Sequence, residues 1–136
     1  MISVVQNFIC TQKERLKVIE REVPKMSKIF KDYDFYINYA TIENVFEVGR
    51  IYEDNVKKLT FENNLKENWG EVTLEIVEKV KTPYTLILCE DFEYRITYNG
   101  WKEMMDANQV KIYGSIQQQS HLVLHYQLMR FIRLIY

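Results

Sequence analysis

The chain has 136 residues, 47% hydrophobic, 14% aromatic and 27% charged, which is enough apolar material to bury a core and too much for a disordered tail. This length fits one domain over residues 1–136 and leaves no room for a second. Eighteen Lys and Arg against nineteen Asp and Glu give a net charge of −1, and no stretch has the basic excess that a phosphate backbone requires, so nucleic acid is not an expected partner.

Cys10 and Cys89 lie inside apolar runs rather than in a spaced framework, a usage that suits a reducing, cytoplasmic compartment and points to core packing. The opening MISVVQNFICTQ has neither a basic leader nor a small-residue cleavage site, so no signal peptide is expected. The longest stretch without Asp, Glu, Lys or Arg, Ile112 to Met129, is broken by Gln, His, Ser and Gly, and no transmembrane segment is expected.

Ile2 to Cys10 is uncharged and rich in Val and Ile, the pattern of a strand covered on both faces. Thr11-Gln12-Lys13-Glu14 fits a capping box and predicts a helix start at Thr11. Leu16, Ile19, Val23, Met26 and Phe30 then mark one apolar stripe, with Pro24 expected to break or kink the helix. Asp34 to Ala40 predicts a second strand, and Val45, Val48 and Tyr52 stripe a helix between Glu43 and Asp54. Val56 to Phe61 predicts a third strand. Trp69, Val72, Ile76 and Val80 recur at helical steps before Pro83, and Thr85 to Cys89 predicts a fourth strand. Strands alternating with helices in this order define an α/β chain: a mostly parallel sheet with flanking helices. Beyond Tyr98 the pattern predicts a short helix over Trp101 to Ala107 and a strand over Val110 to Ile116, followed by a Gln-rich break and an apolar segment from His121 to Tyr136.

Open parallel sheets bind ligands outside the carboxyl ends of their strands. Of the four strand exits, the chemically distinctive one is Glu90-Asp91-Phe92-Glu93, with three carboxylates in four residues. Such acids repel one another unless a cation or solvent compensates, and a hard divalent ion such as Mg or Mn is the natural partner. A solvated acidic turn is the alternative. Other site signals are weak. Four glycines, at positions 49, 70, 100 and 114, build neither a dinucleotide fingerprint nor a phosphate-cradling loop. His121 and His125 stand four apart, but the residues between them lack the acid of a zinc-protease helix.

From Ile2 to about Ala107 the chain resembles the N-terminal, nucleotide-binding half of family 2-like glycosyltransferases of the GT-A fold. The resemblance is carried by Ile2-Ser3-Val4-Val5 with Glu14-Arg15-Leu16, by Asn38-Tyr39-Ala40-Thr41, by Asn68-Trp69-Gly70, and by the strand from Thr82 to Cys89 that leads into Glu90-Asp91-Phe92-Glu93. It implies a nucleotide-sugar-binding core over 1–107 and a C-terminal strand and helix extension over 108–136. It also implies a DXD-like motif, best matched by Asp91-Phe92-Glu93 with Glu90 as an alternative first acid, whose carboxylates hold a divalent metal, Mn or Mg, on the diphosphate of a nucleotide sugar. Phe8, Asn38, Thr41 and Trp69 fall where the nucleotide is held. Asn38 stands where the family usually has an acid, and Glu93 where it has the second Asp. The implied activity is sugar transfer to an unknown acceptor, with Asp91 at the reacting diphosphate and Glu103 or Asp106 as the base, since these are the acids that follow Glu93.

In the segment LVLHYQLMRFIRLIY, Leu122 to Tyr136, eleven of fifteen residues are apolar or aromatic, so a helix there needs cover on most sides. Packing on the sheet together with homodimerisation is the expected use. Two readings stand beside the transferase: an inactive nucleotide-sugar-binding remnant, and a small α/β interaction module that docks through this helix.

Overall fold

The computed structural model describes residues 2–90 and 92–106 of the chain. Four strands, β1 (Ile2–Phe8), β2 (Asp34–Tyr39), β3 (Leu59–Glu62) and β4 (Tyr84–Ile87), alternate with helices α1 (Lys13–Ile29), α2 (Val45–Asn55) and α3 (Trp69–Lys79). A short helix, α4 (Tyr98–Met104), follows. The sheet order is β3-β2-β1-β4 and each pairing is parallel. The α/β expectation with a parallel sheet and flanking helices is met.

The uncharged run of β1 is buried throughout because it is the central strand, paired with β2 on one side and β4 on the other. Its alternate side chains enter two different cores. Val4 and Phe8 pack with Ile19, Val23 and Met26 of α1 and with Val48 and Tyr52 of α2. Val5 turns to the opposite face, with Ile87 of β4 and Val72, Ile76 and Val77 of α3. Helices on both faces are what a parallel sheet requires, since each crossover must cover the face it passes over.

The elements differ from the sequence expectation at several boundaries, among them the start of α4, at Tyr98 rather than Trp101. Gln12, not Thr11, caps α1, in extended conformation and without a side-chain bond to the helix, so the helix starts after it. Pro24 lies inside a continuous α1. An interior proline costs about 3 kcal/mol, and burial of Ile19, Val23, Met26 and Ile29, each worth roughly 1.5–3 kcal/mol, outweighs it. Val56 ends α2 by donating its N–H to the Tyr52 carbonyl, which pushes the third strand to Leu59–Glu62. The fourth strand begins at Tyr84 and ends at Ile87, leaving Cys89 outside it.

Beyond β4 the chain is tied to α1. The Tyr94 N–H donates to the Glu22 carboxylate at 3.0 Å. Trp101 of α4 meets Phe30 edge to face with ring centroids 5.0 Å apart, and its Nε1 donates to the Tyr33 hydroxyl. Among the described residues no helix is long and apolar enough to cross a membrane. The expected strand over 110–116 and the apolar segment over 121–136, with the dimerisation assigned to it, lie outside the described residues.

Candidate functional site

The strand order reverses at β1, and the helices flanking this point lie on opposite faces of the sheet: α1 follows β1 on one, and α3 precedes β4 on the other. This is the place where open α/β sheets leave a crevice. A groove of about 450 Å³ lies there, lined by Asn7, Phe8 and Ile9 from the end of β1. Arg15 of α1, Ala40 after β2, Leu65, Lys66 and Glu67 before α3, Trp69 and Glu90 complete it.

The floor is an amide network. Asn7 Nδ2 donates to the Trp69 carbonyl at 3.2 Å and to Thr73 Oγ1 at 3.1 Å. The Trp69 Nε1 donates back to the Asn7 carbonyl at 2.6 Å. Asn38 Nδ2 donates to Asn7 Oδ1 and to the Asn64 carbonyl, while its Oδ1 accepts from the Asn64 N–H at 2.7 Å. These bonds fix the start of α3 and the connection after β3 against the ends of β1 and β2. Asn68 caps α3, its side chain accepting from the Glu71 N–H, as its residue type favours.

The candidate nucleotide residues are therefore placed differently from one another. Trp69 is half exposed and lines the groove. Phe8 reaches it from below but is buried, edge to face with Tyr39 at 5.4 Å between centroids. Asn38 is fully buried, its amide spent on Asn7 and Asn64. Thr41 is not among the lining residues; its hydroxyl accepts from the Glu43 N–H and its carbonyl from Asn63 Nδ2.

Of the acidic candidates, Glu90 lines the groove, with its side chain only 13% exposed and ion-paired to Arg15. Asp91 lies outside the described residues. Glu93 is solvent-exposed and pairs with Arg95 at 3.1 Å, away from the groove lining. Glu103 is exposed on α4. Asp106 lines a different cavity, of about 210 Å³, with Ile29, Phe30 and Tyr33 at the far end of α1. Arg15 and Phe30 are separated by about 22 Å at 1.5 Å rise per residue, so the structure does not bring Asp106 to Glu90.

Arg15, Lys66 and Asn7 are polar lining residues that the sequence alone does not single out as site residues. Arg15 had one local signal, its position in the first turn of the helix that follows the central strand. Lys66 pairs with Glu75 at 2.6 Å, which raises the lysine's pKa and lowers the glutamate's. Cys10, which follows β1, has its thiol pushed up by burial, against a smaller lowering effect of Arg15.

Among the described residues no three of His, Cys, Asp and Glu gather into a cation cage. Mg and Mn commonly take one or two carboxylates and fill the remaining shell with phosphate oxygens and waters, and Glu90 is a groove acid that such a cation would use. Arg15 already occupies that carboxylate, so a cation has to take its place.

Compared with known proteins, the chain matches no family model and no curated protein.

Proposed function

We propose that the groove over the end of β1 binds a nucleotide-diphosphate sugar together with a divalent cation, and that the chain transfers the sugar to an acceptor. The observation that carries this reading is the meeting, in one groove at the reversal of strand order, of a half-exposed indole, Trp69, with a charge pair, Arg15 and Glu90. A flat aromatic face suits a nucleobase and a guanidinium suits a diphosphate, which it grips through two parallel N–H bonds. The groove volume falls in the roughly 300–1,000 Å³ range of small-molecule sites.

In such a transfer the acceptor oxygen bonds to the anomeric carbon as the bond from that carbon to the diphosphate oxygen breaks, the acceptor's proton passes to solvent, and negative charge grows on the departing diphosphate oxygen. A Mn or Mg ion, when bound, stabilises this charge. Arg15 adds a preorganised cation from the protein side. Trp69 and the Asn7 network beneath it hold the nucleotide in register.

A binding-only protein is the second reading, favoured by one observation: neither Glu103 nor Asp106 lines the groove. Melting the intact chain with UDP or GDP, each with Mn, tests both readings, because a ligand that binds only the folded form at a hundred times its Kd adds about 2.7 kcal/mol. A rise of several degrees supports the groove reading, and no rise with either nucleotide contradicts it. Sugar-nucleotide turnover by the intact chain that is lost in Glu90→Gln separates transferase from binder.

A further inference from the structure

Of the six large apolar side chains exposed among the described residues, five lie at the carboxyl edge of the sheet. Ile9 follows β1, Ile42 and Phe46 lie between β2 and the first turn of α2, Leu65 follows β3, and Trp69 opens α3. The sixth, Leu74, is further along α3. Bonds between the loops hold this edge together. Asn63 Nδ2 donates to the Tyr39 and Thr41 carbonyls, and the Tyr39 hydroxyl donates to the carbonyls of Cys10 and Glu43, so the exits of β1, β2 and β3 form one rim. Phe46 is 87% exposed and Ile42 71%. Single exposed apolar residues are ordinary, but a group gathered at one edge marks a contact surface.

The rim is also acidic. Glu43, Glu47, Glu67 and Glu71 are exposed beside these side chains. Of the nearby cations, Arg15 and Lys66 are already paired with Glu90 and Glu75, which leaves Lys13 and Arg50 against the four acids. An anionic lipid surface is repelled by such a rim, whereas an apolar partner with positive charge and no acid fits it. Residues 122–136 have that chemistry: eleven apolar or aromatic side chains, Arg130 and Arg133, and no Asp or Glu. With Lys111, residues 107–136 carry three cations and no acid, so the chain's net −1 divides into +3 there and −4 over residues 1–106. The rim is also within reach. Asp106 lies at the opposite end of α1 from Arg15, about 22 Å along the helix. The fifteen residues 107–121 can extend to about 50 Å at roughly 3.3 Å each.

We propose that residues 122–136 dock on this rim within the same chain, their apolar side chains on Ile42, Phe46 and Leu65 and their arginines against Glu43, Glu47 and Glu67. Tethering favours the chain's own segment over a second copy, since a short linker supplies an effective concentration of millimolar order. Ile9, Leu65 and Trp69 also line the groove, so the docked segment borders its mouth. The docking needs no ligand and stands whether or not the groove takes a nucleotide.

Photo-crosslinking of the intact chain tests it. A benzophenone side chain in place of Phe46 should crosslink to residues 122–136 in a product of monomer mass, with a yield independent of protein concentration. The same group in place of Leu74 should not reach them. Glu43→Lys with Glu47→Lys should lower the yield from position 46 roughly twofold or more, as exposed ion pairs become repulsions. Adding Arg130→Glu with Arg133→Glu to that protein should restore it. Phe46 and the two glutamates are exposed, so none of these changes at the rim removes a core contact. Three results each overturn the proposal: crosslinks from position 46 that avoid 122–136, a product of two joined copies that fades on dilution, or a yield unmoved by the charge reversal.

Discussion

Trp69 and Asn7 hold each other in both directions: the indole Nε1 donates to the Asn7 carbonyl at 2.6 Å, and the Asn7 amide donates to the Trp69 carbonyl at 3.2 Å. The first residue of α3 is thereby bound to the end of the central strand, and the indole becomes a wall of the groove. Trp69→Phe keeps an aromatic ring but deletes the donor. It should lower stability by about 1 kcal/mol and weaken nucleotide binding. Urea unfolding and nucleotide titration of the same variant check the two effects separately.

Asn38 sits beneath that wall with its amide donating to two oxygens, Asn7 Oδ1 and the Asn64 carbonyl. Asn38→Asp installs the acid expected at this turn in the resembling family, but it turns a donor into a third acceptor facing two others. The cost should reach about 3 kcal/mol or more, because buried polar groups are left unmatched. Denaturant midpoints measure it. A variant as stable as the wild type would mean that the amide does not hold the floor.

Glu22 is the buried carboxylate on which the segment after β4 is hung. Burial pushes its pKa up, but the Tyr94 N–H together with Arg21 and Lys25 outweighs this and holds it below the usual value. A group with a depressed folded pKa contributes stability above its unfolded pKa, about 4.3 for Glu, and that contribution is lost as pH falls through the folded value. Acidification below about pH 4 should therefore lower the melting temperature. In Glu22→Gln the difference between melting at pH 7 and at pH 3 should narrow.

Gly49 lies in the interior of α2, where a methyl group would meet the Phe61 ring at 3.5 Å, an ordinary contact. Gly49→Ala should thus stabilise the protein by roughly 0.5–1 kcal/mol through lower backbone entropy in the unfolded chain. A raised urea midpoint with unchanged slope is the expected result.

The α/β alternation was legible because β1 carries no charge and the helices keep single apolar stripes, so local pattern and tertiary burial agree. Glu90 stood out for a similar reason, as an acid directly after a buried run. What local pattern does not encode is which distant residue answers it. Arg15 meets Glu90 only because parallel pairing places the exits of β1 and β4 side by side. The tight role of Asn38 was hidden too, since a polar residue at a strand exit reads alike whether its amide faces a ligand or locks two loops. Pro24 does not break α1, because breaker rules omit the burial that overrides them. Chain order alone offers Glu103 and Asp106 as bases, and chain order does not reveal that α4 packs on α1 with Asp106 at its far end.

The most direct test of the groove is tryptophan emission of the intact chain during titration with UDP and with GDP in Mn-containing buffer. Of the two tryptophans, Trp69 faces the groove and Trp101 is buried against Phe30. The expected result is a saturable change with at least one nucleotide that vanishes in Trp69→Phe. Emission unmoved by either nucleotide up to millimolar concentration, with no heat of binding, would contradict it.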